Sequence, residues 1–545
     1  MRCLAACGVF VMLVSSLATA AENLVGNPSA EELAAGGAPK GWGTYVGAGG
    51  LRLTRTEDEK HSGNAAACLE LSKWHTPKDA KDMPENRSVS GAIILAENDG
   101  YRARGALACA PGANYVFTFW YKGTIPSAKV GVTGWPSEEA DHTQRVTIPV
   151  SVALLRPSDQ WQQCAGAFRI PEGVQRFAVM VAASGQESKG FRLGKLYVDD
   201  AQLVSKQFPD GQLRGVWWGF VKATERTEGV REIAESLDRL KAAGINSLFV
   251  WSSSLHIAAL DRPELLKSEP QAAWDAYGEI LQAATKRGMQ VHAWFSPWIY
   301  KDASRGIELR EHPQWAAVNA DGKADEKGLC FIRPEVRKFE LDLLGRLMER
   351  YPDLAGIHIE EPGFNWGADY CYCEYCERLC RQWFGIEIRK DPVAARPALQ
   401  NLAAFMCSDF IARLRELVMA KHPGKWLSAN GSCGRNPDWH IGRDWATWAR
   451  RGYLDFYVPQ VYTKSADVFR QRALETKNCL GDCDLVTGMA VSWSAIYPER
   501  QAPEVLRAQI DASRQLGAKG FVIFHRDHFQ DEHFAAIRQA CEIKP

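Results

Sequence analysis

The sequence predicts a multidomain protein in which an all-β sandwich is followed by a (β/α)₈ barrel. Three observations support this prediction. The chain has 545 residues, more than one hydrophobic core usually organises. Residues 23–203 show short strand patterns separated by Gly, Pro, Asn and Asp, without a long helical period. From residue 213 onward, apolar strands alternate with amphipathic helices, which is typical of βα units around a parallel sheet.

Composition and charge exclude several classes of partner. Hydrophobic residues make up 46% of the chain, charged residues make up 24%, and the formal net charge is zero. A neutral chain has no overall attraction to nucleic acid or to an anionic membrane. The chain carries 19 Trp against 15 Tyr, and flat aromatic rings of this kind also serve to stack on sugars.

The first 21 residues have the pattern of a secretory signal peptide. Arg2 precedes an apolar run that ends at Leu17, and Ala18-Thr19-Ala20 supplies an A-x-A-like cleavage site. We therefore expect an exported protein, periplasmic or secreted, without a membrane span. The expected organisation is a signal peptide (1–21), a sandwich (22–204), a linker (205–212) and a barrel (213–545).

The sandwich region resembles a known class of binding module. Its motifs are "NLVGNPSAEE" (23–32), "PKGW" (39–42), "PGANYVFTFWYKG" (111–123) and "YVDDAQL" (197–203). They are similar to jelly-roll carbohydrate-binding modules of the family 4/9 type. The resemblance implies a structural calcium ion held by Glu31 and Asp199, whose oxygen atoms suit that metal. Surface acids without a metal are the alternative. The predicted strands are 115–123, 146–155, 176–184 and 195–204.

Eight strand patterns follow the linker, and helices such as 229–244 and 272–288 lie between them, each closing on Gly. Eight strand–helix repeats predict a TIM barrel, with chemistry at the carboxyl ends of the strands. The predicted strands are 213–221, 245–251, 289–296, 354–362, 425–431, 454–462, 484–492 and 519–525.

Most of these strand ends are polar or aromatic, whereas purely structural ends would be small or aliphatic. This pattern predicts a ligand site at the carboxyl rim of the barrel. The candidate substrate-binding residues are Trp217, Trp251, His292, Trp294, His358, Asn430, Gln460, Tyr462 and Trp493.

The fourth strand ends in the stretch "GIHIEEPGF" at residues 356–364. Strand alternation places His358 and Glu360 on the lumen face of the barrel. A carboxyl group held among Trp rings and beside a His is well placed to donate a proton. Glu361 falls where the strand ends, and the sequence leaves its direction open.

Motifs along the barrel resemble glycosyl-hydrolase-like family 10, whose members are remotely similar to chitinase-type hydrolases. These motifs include "LRGVWWGF", "RGMQVHAWFSPW", "AGIHIEEP" and "GYLDFYVPQVYT". The fourth strand of that family typically reads Gly-Ile-His-Leu-Asp-Tyr, so its acidic position falls on Glu360 and its histidine on His358. The resemblance implies glycoside cleavage with Glu360 as general acid. Here Glu replaces Asp, and Ser296 stands where the family usually has Asn.

Glycoside cleavage usually needs a second carboxylate. Asp527 after the eighth strand and Glu361 are the candidates, whereas Asp455 begins the sixth strand at the opposite end of the barrel. Alternatively, the substrate supplies an N-acetyl nucleophile. In that case Tyr462 and Gln460 would orient the acetamido group, and a histidine, His292 or His358, would tune the acid.

A cysteine cluster, "CYCEYCERLC" at 371–380, follows the fourth strand. Cys371, Cys373 and Cys376 resemble the zinc-binding insert of family 42 β-galactosidases, and thiolates at this spacing suit tetrahedral zinc. The fourth ligand would be Cys330 or Cys380. Such a zinc site would be structural. A mixture of disulfides and buried thiols is the alternative.

These observations predict an exported glycoside hydrolase that acts on a poly- or oligosaccharide, with peptidoglycan or another amino-sugar glycan as candidates. We expect no cofactor to be required for catalysis. The alternative is a non-catalytic glycan-binding protein whose barrel has lost its chemistry.

Overall fold

The structure is a computed structural model. It describes residues 23–34, 37–126, 128–151, 154–219, 221, 223, 225–252, 274–298, 309, 311–364, 370–493 and 499–542. The predicted signal peptide lies outside these residues. Among the helices that are described, none is both long and apolar enough to cross a membrane.

The N-terminal region consists of two antiparallel sheets, as predicted for an all-β domain. Phe117 and Phe119 from one sheet, with Phe177, Val179 and Val181 from the other, fill a shared core. The first sheet runs in the order Gly43–Ala48, Ser88–Ile94, Arg176–Gln186, Lys129–Trp135 and Val146–Ile148, and Leu107–Ala108 pairs with Arg176–Gln186. The second runs in the order Gly50–Thr56, Ala66–Lys73, Gly194–Lys206, Asn114–Gly123 and Ser158–Arg169.

One predicted strand of this region is much shorter than expected. The strand predicted over 146–155 covers Val146–Ile148 in the structure. Pro149 follows directly and has no backbone N–H to donate to a neighbouring strand, so the ladder stops there.

The C-terminal region is a nearly closed parallel barrel, and all eight predicted strands are present. The first strand pairs with the last through Leu213 and Gly520. Val486 divides the seventh strand into two pieces, which form the two ends of the sheet and thereby bring them together. The barrel strands are Leu213–Trp218, Ser247–Trp251, Gln290–Phe295, Gly356–Ile359, Trp426–Gly431, Phe456–Pro459, Asp484–Leu485 with Thr487–Ala490, and Gly520–Phe524.

Helices cover the outside of the barrel, and local sequence signals mark where several of them begin. The side chain of Asp391 accepts hydrogen bonds from the backbone of Val393 and Ala394, and Asp275 caps its own helix in the same way. The helices are Arg226–Ala242, Ala276–Thr285, Pro334–Arg350, Glu374–Phe384, Pro392–Lys421, Trp445–Arg450, Ala466–Lys477, Pro503–Gln515 and Asp531–Glu542. A hairpin of Ala316–Val318 and Ala324–Leu329 follows the third strand.

The interior of the barrel is packed with rings, two of which are imidazoles. His292 stacks on Phe249 with the ring centroids 4.7 Å apart, and His358 meets the same phenyl ring edge-on at 4.6 Å. Both histidines are completely buried. Burial lowers the pKa of His292 to about 3. Burial, with His292 nearby, holds the pKa of His358 well below its usual value. Both rings are therefore neutral near pH 7.

A buried ion cluster joins the sandwich to the amino-terminal end of the barrel. Lys206 ends the last sandwich strand, and its Nζ lies 2.9 Å from Oδ2 of Asp455. Arg415 binds the other carboxylate oxygen at 2.9 Å, and the backbone N–H of Leu427 donates to Oδ2 at 2.7 Å. Asp455 therefore has a structural role at the end of the barrel opposite the predicted site.

We expect Asp455→Ala to destabilise the protein more than Lys206→Met. Removing the carboxylate leaves two buried cations without their anion, which costs about 3–5 kcal/mol of unfolding free energy. Removing Lys206 leaves the Arg415–Asp455 pair in place and costs about 2 kcal/mol. Urea denaturation measures both values. Lys40→Met, which breaks an exposed pair with Glu32, should leave the unfolding free energy essentially unchanged. Equal losses in the two buried variants would contradict the shared-anion arrangement.

The neutral histidines should make stability depend on pH. The pKa of His292 is about 3 in the folded chain, against about 6.5 for an ordinary histidine. Between these values the unfolded chain binds a proton that the folded chain excludes, so the unfolding free energy falls as the pH drops. The slope is about 1.4 kcal/mol per pH unit for each such proton. His292→Leu should flatten the dependence in denaturation series from pH 7 to pH 4. Parallel curves for the variant and the original protein would contradict this expectation.

Candidate active site

Glu360 lies directly after the fourth barrel strand, where neighbouring strands supply two hydrogen-bond donors. One carboxylate oxygen, Oε2, accepts a hydrogen bond from the indole N–H of Trp294 and another, at 2.6 Å, from the side-chain amide of Asn430. The backbone N–H of Glu360 donates to the carbonyl of Phe295 at 2.8 Å. The side chain is 93% buried. Glu360 is therefore held at a fixed position by groups from the third and fifth strands.

The strand register explains this arrangement. His358 is paired with Trp294 on one side and with Ser428 on the other. Side chains on one face of a strand recur every two residues, so Asn430 stands beside Glu360. The oxygen of the Asn430 side chain also accepts the backbone N–H of Glu361 at 3.0 Å. Asn430, predicted to bind substrate, thus contacts both glutamates and positions the turn that carries them.

Glu361 points to a different partner. Its φ angle is +38°, in the left-handed region that non-glycine residues rarely adopt. Its carboxylate lies 3.5 Å from Nη2 of Arg443, whose side chain is almost completely buried. Strain of this kind persists only where the surrounding structure enforces it. The turn after Glu360 is therefore held in place by Asn430 and Arg443.

Asp527, the third predicted carboxylate, lies in a short turn after the eighth strand. It accepts a hydrogen bond at 2.7 Å from Nε of its neighbour Arg526. The guanidinium of Arg526 also contacts Glu232 at 3.1 Å and packs over the ring of Trp218 at 4.4 Å. Asp527 is thus part of an ion cluster on the eighth-strand side of the barrel.

Aromatic rings surround Glu360 at the mouth of the barrel. Trp251 meets Trp294 edge-on with the ring centroids 4.7 Å apart. Tyr462 contacts Trp493 at 5.3 Å and Phe524 at 5.8 Å. Burial, followed by the nearby carboxylates of Glu360 and Glu361, raises the pKa of Tyr462 well above its usual value. Its phenol therefore keeps its proton and remains a hydrogen-bond donor.

Phe524 is a rim residue that sequence reasoning missed. The apolar run "FVIF" of the eighth strand continues unbroken to its end, so no change in polarity singled out its last ring. Gln460 is half-buried at the end of the sixth strand, where its backbone N–H donates to the carbonyl of Gly431 at 2.8 Å.

Three of the predicted substrate-binding residues lie below the mouth. Trp217, His292 and His358 are completely buried, so they present no surface to a substrate in this structure. Nδ1 of His358 lies 2.8 Å from the hydroxyl of Ser428. The interior of an eight-stranded barrel is filled by side chains, which is why inward-facing residues of the lower layers are covered. These three residues form the floor of the site, and the two neutral imidazoles place no positive charge beneath Glu360.

The cysteine cluster is present, and the structure decides its fourth member. The sulfur atoms of Cys330, Cys371, Cys373 and Cys376 all lie within 4.8 Å of one another, and all four residues are buried. Cys380 is also buried but lies outside this group.

Glu31 and Asp199, the residues predicted to bind calcium, both contact the loop at 61–64, and the calcium site stays a prediction. The carboxylate of Asp199 accepts backbone N–H groups from His61, Ser62 and Asp200 at 2.8, 3.2 and 2.8 Å. Glu31 accepts the backbone N–H of Asn64 at 2.6 Å. Within the described ranges, neither residue belongs to a group of three or more ligands close enough to share an ion. Here they act as hydrogen-bond acceptors that fix the loop at 61–64.

Comparisons with known proteins find similarity to glycosyl-hydrolase-like proteins. Residues 212–482 match the family described as Glycosyl hydrolase-like 10. The protein named Glycosyl hydrolase DigH of Escherichia coli O6:H1 is 24% identical over 267 residues, covering 42% of this chain and 57% of the relative. Glycosyl hydrolase YngK of Bacillus subtilis is 21% identical over 308 residues, covering 49% and 57%. The chain thus spans little more than half the length of these curated relatives.

Among solved structures, a β-galactosidase from Rahnella sp. R3 superimposes with a TM-score of 0.49 and 14% identity, over 62% of this chain and 56% of that chain. The PgaB (BpsB) glycoside hydrolase domain from Bordetella bronchiseptica has a TM-score of 0.45 and 13% identity, over 61% of this chain and 100% of that chain. Residues 212–482 are therefore similar to the Glycosyl hydrolase-like 10 family, and the curated relatives that the chain matches are named glycosyl hydrolases.

Proposed function

We propose that this protein is an exported glycoside hydrolase that cleaves O-glycosyl bonds of a poly- or oligosaccharide, with Glu360 as general acid. The main support is the environment of Glu360, whose carboxylate is held by Trp294 and Asn430 inside a ring-lined mouth. Rings at the mouth suit stacking on the apolar faces of sugars.

The hydrogen bonds on Glu360 suit a group that gives up a proton. Two described donors bind Oε2, and the proton to be transferred is the carboxyl proton of the protonated acid. When that proton passes to the leaving glycosidic oxygen, the two N–H groups stabilise the carboxylate that remains. Because both donors sit on barrel strands, the carboxylate needs no rearrangement during the reaction.

The proposal also has to name the nucleophile of the reaction. Glu361 lies beside Arg443, and Asp527 is bound to Arg526, so each carboxylate has a guanidinium partner that opposes nucleophilic attack. This arrangement favours a substrate whose own acetamido oxygen attacks, as some hexosaminidases allow. The protonated phenol of Tyr462, with Gln460 nearby on the sixth strand, would orient the acetamido group. We therefore propose an amino-sugar glycan, such as a peptidoglycan strand, as the substrate class.

The same observation also favours a second candidate function. If both arginine-bound carboxylates are purely structural and no acetamido group takes part, the mouth would hold a glycan without cleaving it. The protein would then be a glycan-binding protein with a hydrolase-like barrel. Turnover separates the two functions, since ring contacts alone support binding.

We expect Glu360→Gln to lose hydrolysis while keeping glycan binding. Loss of a general acid costs about 10²–10⁴-fold in kcat, and the amide should leave the rings of the mouth in place. Release of reducing ends from peptidoglycan glycan strands, chitin oligosaccharides and neutral polysaccharides measures the first effect, and calorimetric titration measures the second. Glu335→Gln, at an exposed glutamate on helix Pro334–Arg350, is the matched control.

Three outcomes separate the proposals. Loss of hydrolysis in Glu360→Gln, with the control unaffected, supports the general acid and identifies the substrate. Unchanged hydrolysis in Glu360→Gln refutes the role of this residue. Saturable binding with no turnover by the unmodified protein supports the glycan-binding alternative.

Trp294 should act as a positioning residue. Trp294→Phe keeps a ring in the mouth and removes the N–H that donates to Glu360, so we expect kcat to fall about tenfold with KM nearly constant. The pH–rate profile should also shift to higher pH, since the ionised carboxylate loses a donor. Trp251→Phe is the comparison, because the Trp251 N–H has no hydrogen-bond partner among the described residues. It should alter KM and leave the pH profile unchanged. Identical pH profiles for Trp294→Phe and the original protein would contradict the positioning role.

A further inference from the structure

Four cysteine sulfur atoms from two separate segments meet in the interior beside the barrel. Cys330 lies between the hairpin after the third strand and helix Pro334–Arg350. Cys371, Cys373 and Cys376 come after the fourth strand, where helix Glu374–Phe384 begins. All four side chains are at least 95% buried. The chain between the two segments includes helix Pro334–Arg350 and the fourth strand, so tertiary folding alone brings these sulfurs together.

The distances between the sulfurs distinguish a metal site from disulfides. Cys330 and Cys376 are 3.6 Å apart, Cys330 and Cys373 are 3.8 Å apart, and Cys373 and Cys376 are 3.7 Å apart. A disulfide requires about 2.0 Å. Four sulfurs at tetrahedral positions around one ion, with metal–sulfur distances near 2.3 Å, stand about 3.8 Å from one another.

We propose that Cys330, Cys371, Cys373 and Cys376 together bind one Zn²⁺ ion. Thiolates are soft ligands, and a tetrahedral set of four sulfurs is typical of zinc. With four protein ligands the coordination shell is closed, so the ion has no position for a reactive water molecule. The metal is therefore structural, and this proposal is independent of the role of Glu360.

The backbone around the cluster is arranged as a thiolate site requires. The N–H of Val318 donates to Sγ of Cys371 at 3.4 Å, which orients that sulfur. Cys373 is the N-terminal capping residue of helix Glu374–Phe384, and Cys376 lies in its first turn. The N-terminal end of a helix carries a partial positive charge that stabilises thiolates. The hairpin also accepts a backbone hydrogen bond, from Tyr372 to the carbonyl of Val318 at 2.7 Å.

The zinc cluster would restrain the residues that pack against the turn after Glu360. Phe331, next to Cys330, packs against Phe364 with the ring centroids 4.6 Å apart. Trp298 stacks on Phe331 at 4.7 Å, and its indole N–H donates to the carbonyl of Gly363 at 2.9 Å. Gly363 and Phe364 follow the Glu360–Glu361 pair closely in sequence. An ion that holds Cys330 against Cys371, Cys373 and Cys376 therefore also restrains the turn after Glu360.

Metal analysis of the full chain, purified without added metal, tests the proposal. We expect about one zinc ion per chain by elemental mass spectrometry. The zinc content of the Cys330→Ser and Cys373→Ser variants should fall below about a tenth of that value. Cys380→Ser is the matched control, since Cys380 is a buried cysteine on the same helix but lies outside the cluster, and it should keep its zinc.

A titration of the unmodified chain covers the case in which the serine variants fail to fold. A mercurial reagent should release zinc, detected with a chromogenic chelator, when it reacts with the thiols of the cluster. Chelation of the metal should speed hydrogen exchange at 316–332 and 370–384 by at least about tenfold, and leave the sandwich at 43–206 unchanged.

Four results would overturn the proposal. Folded protein with no bound metal is one, and an intact mass that shows the four cysteines paired as disulfides is another. Iron in place of zinc would refute the identity of the metal, and full zinc content in Cys330→Ser would refute the ligand set. None of these results would bear on Glu360→Gln, so failure of the metal proposal and failure of the hydrolase proposal are distinguishable.

Discussion

The in-register parallel pairing of the third, fourth and fifth barrel strands is the constraint on which the site depends. It places Trp294 and Asn430 on either side of Glu360, and both donate to the same carboxylate oxygen. A shift of one residue in either pairing would turn a donor to the opposite face of its strand. Asn430 adds a second restraint, because its oxygen accepts the backbone N–H of Glu361. The position of one carboxylate thus follows from the register of the barrel.

Charged groups are used differently at the two ends of this barrel. At the amino-terminal end, Asp455 is buried between Lys206 and Arg415, where it joins the sandwich to the barrel. At the carboxyl end, Glu361 and Asp527 lie against Arg443 and Arg526. Glu360 accepts hydrogen bonds from an indole N–H and from an amide N–H, which belong to the two neighbouring strands.

Two groups of packed side chains, which no ligand would touch, hold the mouth of the barrel in place. Below it, the neutral rings of His292 and His358 pack around Phe249 and fill the barrel. Beside it, Phe331 and Phe364 connect the cysteine cluster to the turn after the fourth strand. The rings of the first layer pack between the barrel strands beneath the site. The second layer packs the segment after the fourth strand against the hairpin that follows the third strand.

The sequence by itself determined the periodicities, and with them the eight barrel strands, the all-β N-terminal region and the polar rim that includes Glu360. These features depend on residues close together in the chain, because burial on one face repeats every two residues in a strand. Tertiary structure decided that Cys330, and not Cys380, joins the cysteine cluster, and that Glu361 turns toward Arg443. It also decided that Trp217, His292 and His358 lie beneath the mouth. Each of these features depends on contacts between segments that are distant in sequence. The depth of a side chain inside a closed barrel is set by the stagger of neighbouring strands, and the periodicity of one strand carries no information about that stagger.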